Sequence, residues 1–257
     1  MNDSVIIKSV DHALTVIDYI YQTGEEVSIT QISKDLGMHK STVYRILTTL
    51  QYHGYVMKNP DNDKYYLSLK LFIIGSSIQN QIVIGKIVEP YINQLKERFG
   101  EAVNVSILSV DDNGAYQSII VAKSKSDFSI NANTAVGSVT ECYCCSVGKC
   151  LLAFSDNIDL DVYKRIPMKR FTDNTITDVK SLKEEIRKIR EQGYSIDDEE
   201  EERGLFCIGA PILVDGKAIA AVSLSGPYIR MKDRFDEKVA EVKKTAGDIA
   251  RAIGSRS

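Results

Sequence analysis

The chain has no histidine beyond its first quarter. The three histidines of the 257-residue sequence are His12, His39 and His53. A serine or cysteine nucleophile normally requires an adjacent base, most often histidine, so Cys207, Ser223 and Ser225 have no such base in their own part of the chain. We therefore expect a protein that is not an enzyme and that has no catalytic residue.

Motifs that bind nucleotides are missing as well. No G-x-G-x-x-G follows a predicted strand, and Gly148-Lys149 lacks both the upstream glycine and the following Ser or Thr of a phosphate loop. The sequence predicts no cofactor.

Long apolar runs and a basic leader are absent too. The chain begins Met-Asn-Asp-Ser, which is acidic and polar, and polar residues interrupt its most hydrophobic region, 71–88, at six positions: Ser76, Ser77, Gln79, Asn80, Gln81 and Lys86. This pattern predicts neither a signal peptide nor a membrane span. We expect a cytoplasmic protein that does not bind membranes.

Cysteine is scarce and odd in number. The five cysteines are Cys142, Cys144, Cys145, Cys150 and Cys207. In a chain without export signals, an odd number favours reduced thiols over disulfides. A zinc site at 142–145 is the alternative, but structural zinc sites pair one C-x2-C unit with a second, which the sequence lacks, and no histidine is near. Free thiols are therefore favoured and no metal is expected.

The segment 28–50 predicts two short amphipathic helices separated by a turn at 36–38. In the first helix Ile29, Ile32 and Leu36 recur at helical spacing. Ser28 is suited to the N-cap, and Gln31 three residues later matches a capping box.

The second helix combines an apolar stripe with a polar, basic face. The stripe is formed by Val43, Ile46, Leu47 and Leu50. The outward residues are Lys40, Ser41, Thr42, Tyr44, Arg45 and Thr48. Such a face can enter the DNA major groove, where Arg reads guanine and Ser, Thr and Lys reach phosphates or base edges. The alternative is an ordinary helical hairpin with its charged face in water.

The flanking sequence favours a winged helix-turn-helix over that hairpin. Upstream, an apolar pattern in 8–22 predicts a third helix, with a stripe formed by Val10, Ala13, Leu14, Ile17, Ile20 and Tyr21. Downstream, strand-like segments 55–58 and 64–68 flank the turn formers of 59–63 and predict a β-hairpin. From Lys34 to Lys70 six basic residues, Lys64 among them, accompany three aspartates, although the formal net charge of the chain is −3. Positive charge is thus placed where phosphate would lie.

Three stretches of this half resemble the DNA-binding half of the IclR family of bacterial transcriptional regulators. They are HALTVIDYI, ITQISKDLGMHKSTVYRILTTLQYHGYV and KYYLSLKLFIIGSS. SVGKCLLAF and GYSIDDEEEERGLFCIGAPILVDGKAIAAVSLSGP are similar to the two signature regions of that family's effector-binding domain. The resemblance covers nearly the whole chain.

The length suits two domains, and we place the boundary near Asn80, within a linker helix predicted at 69–81. Residues 1–80 are then the winged helix-turn-helix domain with its linker, and 81–257 an effector-binding and oligomerisation domain. In the second domain the pattern predicts helices at 84–99, 146–154, 181–192 and 233–253 and strands at 102–110, 115–122, 128–132, 194–197, 207–214 and 218–225. This is an α+β arrangement. The resemblance implies a GAF- and profilin-like domain with a six-stranded antiparallel sheet.

The resemblance also implies a pocket for a small effector. Matched by motif, its residues are Ser146, Val147, Asp197, Leu205, Cys207, Ser223 and Ser225. Side chains alternate along a strand, so Ser223 and Ser225 project to one face and Leu224 to the other. The start of a helix at Ser146 exposes N–H groups that favour an anion. The structural alternative is that these serines decorate an ordinary sheet face and Cys207 packs in the core.

The leading hypothesis is a homodimeric or homotetrameric regulator that binds double-stranded operator DNA and changes its affinity when a small carboxylate metabolite is bound. The alternative is a sensor or enzyme whose winged helix contacts protein instead of DNA. Repression and activation use the same contacts, so both are open.

Overall fold

A computed structural model of the chain describes residues 6–81, 84–132 and 134–255. The chain divides into two compact units, Met1–Gln81 and Ile82–Ser257. Each unit has a hydrophobic core of its own.

Three helices and a hairpin form the first unit. Its elements are α1 (Lys8–Thr23), α2 (Ile29–Asp35), α3 (Lys40–Tyr52), β1 (Val56–Lys58), β2 (Tyr65–Leu67) and α4 (Leu69–Gln81). Val16 and Ile20 of α1 pack with Ile32, Val43 and Leu47 in one apolar core. The two strands pair antiparallel, with Val56 opposite Leu67. The predicted winged helix-turn-helix is confirmed.

The buried face of α1 differs from the predicted stripe. Ala13, Val16, Ile17 and Ile20, at helical spacing, face the core. Leu14 and Tyr21 are exposed because they lie on a neighbouring face, and Val10 is exposed in the first turn, beyond the reach of the core.

The second unit is a six-stranded antiparallel sheet with helices on both faces. Its elements are α5 (Ile84–Phe99), β3 (Ala102–Val110), β4 (Tyr116–Ser124), β5 (Val139–Glu141), α6 (Ser146–Phe154), a 3-10 helix (Leu160–Lys164), α7 (Val179–Gln192), β6 (Ser195–Asp198), β7 (Leu205–Val214), β8 (Lys217–Pro227), α8 (Tyr228–Lys232) and α9 (Phe235–Gly254). The strand order is β5-β4-β3-β8-β7-β6. The fold class is as expected from the resemblance.

The two faces of the sheet carry separate cores. On one face α5 and α9 pack on residues such as Val103, Ile208 and Leu224. On the other, α6 and α7 pack with Ala221 of β8. Because side chains alternate along a strand, Ser223 and Ser225 lie on the α6 face, opposite Leu224.

One predicted strand of this unit was wrong, and two short helices were not predicted. The segment 128–132 is not a strand, because Asn131 Nδ2 donates to the carbonyls of Phe128 and Ser129 and holds a local turn instead of a ladder. The edge strand is β5, at Val139–Glu141. The last helix is also preceded by the separate short helix α8, with Arg234 in a left-handed conformation (φ 51°) directly before α9. The 3-10 helix was not predicted.

Candidate functional site

The helix pair α2–α3 is held by contacts that its own sequence supplies. Ser28 Oγ accepts a hydrogen bond from the N–H of Gln31 at 3.2 Å, as the capping motif predicts. Ser33 Oγ donates to the carbonyl of Met38 at 2.6 Å and closes the turn. Gly37 has φ +66°, a conformation that favours glycine.

One face of α3 is open within this unit. Val43, Leu47 and Leu50 are buried, whereas Ile46 is only half-buried. Of the predicted DNA contacts, Thr42 is half-buried and the others on this helix are exposed: Lys40, Ser41, Tyr44, Arg45 and Thr48. Neither Lys40 nor Arg45 forms an ion pair in the described parts of the chain. Their charge is therefore available to an external anion.

The hairpin is tied to the segment before α2. Glu26 accepts hydrogen bonds from Asn59 Nδ2 at 2.9 Å and from Asn62 Nδ2 at 2.6 Å. Lys58 pairs with Asp63 across the turn. Lys64 is exposed and, among the residues that the structure describes, has no ion-pair partner, so the predicted contact residue of the wing is presented on an ordered loop.

A polar cavity lies in the second unit between the sheet and the start of α6. Its volume is about 40 Å³, room for about three water molecules. Six of the seven predicted effector residues line it: Ser146, Val147, Leu205, Cys207, Ser223 and Ser225. The structure thus brings together residues that are up to 79 positions apart in sequence, from Ser146 to Ser225.

Seven of the lining residues carry a hydroxyl group. Ser223 Oγ and Ser225 Oγ lie 3.2 Å apart and share a hydrogen bond. Ser118 Oγ and Cys145 Sγ lie 3.4 Å apart. Ser106 Oγ is fully buried in the wall and has no hydrogen-bond partner in the described structure. A buried hydroxyl without a partner costs free energy, so this wall is suited to a polar guest.

Two glycines allow close approaches of α6, one to the segment after β5 and one to β7. A Cβ on Gly148 would lie 2.6 Å from the carbonyl oxygen of Cys142, and a Cβ on Gly209 would lie 2.9 Å from the carbonyl carbon of Ser146. Both distances are shorter than side chains tolerate. The close approach places the first N–H groups of α6 at the cavity wall.

The structure corrects the position of Asp197. Its side chain is fully buried behind the cavity and does not line it. Oδ1 accepts hydrogen bonds from the N–H groups of Glu200 at 2.8 Å and Glu201 at 3.4 Å, whereas Oδ2 has no partner in the described residues. Burial raises the pKa of this carboxyl to about 7. Asp197 therefore shapes the loop after β6, because its carboxylate accepts hydrogen bonds from two N–H groups of that loop.

Several cavity residues were not predicted. They are Asn104, Ser106, Ser118, Ile120, Ala132, Thr134, Thr140, Cys145 and Glu201. The alternation of Asn104 and Ser106 with valines in β3 was an available signal, of the same kind as Ser223 and Ser225 in β8. Glu201 carries no such signal, because it lies in an acidic loop.

The cysteines are all free and buried. Burial raises the pKa of the Cys145 thiol to about 12, which keeps it protonated. Within 6–81, 84–132 and 134–255, no three His, Cys, Asp or Glu residues are grouped in a way that could hold a metal ion. No helix in this part of the chain has the length and apolar character needed to cross a membrane.

An exposed basic helix-turn-helix and a separate sensor-like unit with a small cavity lined by hydroxyl groups are the features of DNA-binding regulators. Family models match both units: "IclR helix-turn-helix domain" over residues 9–60 and "Bacterial transcriptional regulator IclR C-terminal" over residues 77–251. The chain belongs to the IclR family of transcriptional regulators, and it is a regulator, not an enzyme.

Individual relatives agree along the whole chain. The HTH-type transcriptional regulator XynR of Escherichia coli K12 is 31% identical over 97% of this chain and 98% of its own. The transcriptional repressor IclR of the same organism is 29% identical over 96% of this chain and 90% of its own.

Solved structures share the fold. The Thermotoga maritima IclR superposes with a TM-score of 0.76 at 29% identity, covering 96% of this chain and 99% of its own. An IclR homolog from Microbacterium hydrocarbonoxydans, complexed with 4-hydroxybenzoate, superposes with a TM-score of 0.78 at 18% identity. The match covers 95% of this chain and 99% of the homolog.

Proposed function

We propose that this regulator binds operator DNA through α3 and the wing, and that a small organic acid in the cavity of the second unit controls its affinity. The observation that carries the first part is the open face of α3, where Lys40 and Arg45 are exposed without ion-pair partners in the described structure. The name of the relative IclR, a repressor, supports repression as the mode of action. A regulator of this kind acts in the cytoplasm, where the operator is.

On the DNA side we assign two roles. Arg45, in the middle of the exposed face, reads a base edge in the major groove. Lys40, Ser41, Thr42, Tyr44, Thr48 and Lys64 contact the backbone or base edges on either side. All of these residues except the half-buried Thr42 are exposed within their own unit, which supports this assignment.

On the effector side, the start of α6 receives the carboxylate. The N–H groups of Ser146 and Val147 donate to no acceptor among the described residues, and the first helical bond runs from Lys149 N to Cys145 O. Free N–H groups at a helix start attract an anion. Ser223, Ser225 and Cys207 face this point from the sheet, with Leu205 beside them. The complex of the Microbacterium homolog with a small aromatic acid supports the ligand class.

We infer a dimer or tetramer, and the exposed apolar side chains of the first unit support it. On α4, Leu69, Phe72 and Ile73 are exposed, and on α1 so are Leu14 and Tyr21. Large apolar side chains exposed on a helix can be covered by a protein partner. A second copy presenting a second α3 would bind a partly palindromic operator.

A gel shift with the DNA upstream of the protein's own gene tests the proposal. We expect sequence-selective retention that weakens steeply with salt, and a change in the midpoint on adding one of a panel of keto, sugar and aromatic acids. The coupling expected is about 1 to 3 kcal/mol. If the DNA shows no sequence-selective, salt-sensitive retention, a winged helix used for protein contact is favoured instead. If none of the acids changes the midpoint of operator binding, the effector assignment is wrong.

A further inference from the structure

The cavity has an unusual charge for a site that receives an acid. Its walls carry seven hydroxyl groups, on Ser106, Ser118, Thr134, Thr140, Ser146, Ser223 and Ser225, and the amide of Asn104. No Lys, Arg or His is among its lining residues, and the one ionisable carboxylate in the lining is Glu201. One end of a ligand would lie at the start of α6. The chemical group at its other end would have to match the carboxylate of Glu201.

Glu201 is held in place but poorly solvated. Its N–H donates to Asp197 Oδ1 at 3.4 Å, which fixes the backbone of the loop after β6. Its carboxylate accepts one hydrogen bond in the described structure, from Thr140 Oγ1 at the long distance of 3.4 Å. A carboxylate has about four acceptor positions, and burial raises the pKa of this one. Free acceptor positions on a half-buried carboxylate in the cavity wall favour a ligand that donates a hydrogen bond.

The start of α6, on the opposite wall, favours a ligand group of negative charge. The free N–H groups of Ser146 and Val147 favour a negative group there. An acid without any donor would satisfy α6 but would leave Glu201 unsatisfied and repelled by the ligand charge. An acid that also carries a hydroxyl or ammonium group satisfies both walls.

We propose that Glu201 is the specificity-determining residue of this cavity and that it selects small carboxylic acids bearing a hydrogen-bond donor, a hydroxyl or an ammonium group, beside the carboxylate. The carboxylate lies at the start of α6, and the donor points to Glu201. The small volume of about 40 Å³ favours a small acid, which can extend into the opening of the cavity. This inference rests on the proposed effector function and specifies its ligand class.

A matched set of three-carbon acids tests it. Propionate, pyruvate, lactate and alanine have the same carbon skeleton and differ at carbon 2, which carries hydrogens, a keto oxygen, a hydroxyl or an ammonium group. Isothermal titration and thermal unfolding of the full chain with each acid give four affinities. A hydrogen bond to a charged group corresponds to about tenfold or more in affinity. We therefore expect lactate or alanine to bind at least about tenfold more tightly than propionate and pyruvate.

Variants then assign the preference to Glu201. Glu201→Leu removes the acceptor and should bring the four affinities together, whereas Glu201→Gln keeps a neutral acceptor and should retain part of a preference for lactate but none for alanine. Glu202→Leu makes the same change at the adjacent exposed residue, which does not line the cavity, and should leave the preference unchanged. Thermal unfolding without ligand shows that each variant is folded.

The outcomes separate this inference from the function on which it rests. Propionate and pyruvate binding as well as lactate and alanine would overturn the inference but leave an acid-binding cavity. A preference that persists in Glu201→Leu would overturn the role of Glu201. Binding of none of the four would overturn the ligand class, while the operator gel shift with the wider acid panel would still decide the proposed function.

Discussion

Lys149 and Glu200 form an ion pair in the interior of the second unit. Lys149 projects from α6 and is fully buried, and its Nζ contacts Oε1 of Glu200 in the loop after β6. Glu185 of α7 lies 3.7 Å from the same nitrogen. Burial opposes the charged ammonium, but Glu200, Glu185 and Asp197 outweigh that effect and raise its pKa. The pair ties the helix at one wall of the cavity to the loop that carries Glu201.

Replacing only the lysine should destabilise this unit strongly. Lys149→Met leaves Glu200, one of whose oxygens already has no partner in the described structure, as a buried charge without a cation. Removing one member of a buried pair costs about 3 to 5 kcal/mol. Urea unfolding should show this loss, and the double variant Lys149→Met/Glu200→Gln should recover most of it. A single variant within about 1 kcal/mol of the parent would show that the pair contributes little.

Asp197 should make the stability depend on pH. Its pKa of about 7 in the folded chain lies above the value of about 4 in the unfolded chain, so the folded state holds the extra proton between these values. The free energy of unfolding therefore falls as pH rises from about 4 to about 7, by up to about 4 kcal/mol from this group. Asp197→Asn mimics the protonated form and keeps an acceptor for the Glu200 N–H.

Urea unfolding at pH 5 and pH 8 checks the Asp197 prediction. The variant should gain stability relative to the parent at pH 8 and much less at pH 5. A difference between the two proteins that is equal at both pH values would mean that Asp197 is already ionised in the fold.

Arg45→Ala should weaken operator binding by about 1 to 3 kcal/mol and relax base preference at one position. The physical reason is the loss of a side chain that can donate two hydrogen bonds to guanine. Gel shifts on the operator and on single-base variants measure both effects. The control is Arg187→Ala, which removes an exposed arginine of α7 that pairs with Glu184 and Glu191 and should leave retention unchanged. Equal behaviour of the two variants would exclude Arg45 from the reading residues.

Ser225→Ala should reduce the thermal stabilisation produced by an acid while operator affinity stays nearly unchanged. Its hydroxyl lies in the cavity wall, bonded to Ser223, and the change removes one partner for the ligand, worth about 1 kcal/mol. Ser109→Ala on β3, whose side chain does not line the cavity, is the matched control. A full thermal response in Ser225→Ala would show that the ligand binds elsewhere.

The sequence alone determined the helix-turn-helix, because its information is local. The Ser28 cap, Gly37 at the turn and the stripe of Val43, Leu47 and Leu50 all act within a few residues of one another. The same holds for Ser223 and Ser225, since alternation along a strand follows from backbone geometry. The family resemblance predicted that these serines lie in one pocket with the start of α6.

Only the tertiary structure decided which polar residues face the cavity. Asp197 lies in β6 and Glu201 lies four positions later, in the acidic loop after that strand. Asp197 is fully buried and does not line the cavity, whereas Glu201 lines it. The loop reverses at this point because the Asp197 carboxylate accepts hydrogen bonds from the N–H groups of Glu200 and Glu201, three and four residues later. Likewise, Asn131 hydrogen bonds turned the strand predicted at 128–132 into a loop. A pattern of residue types records periodicity, whereas the direction of an irregular segment depends on which side chains form hydrogen bonds with its backbone, and periodicity does not show those bonds.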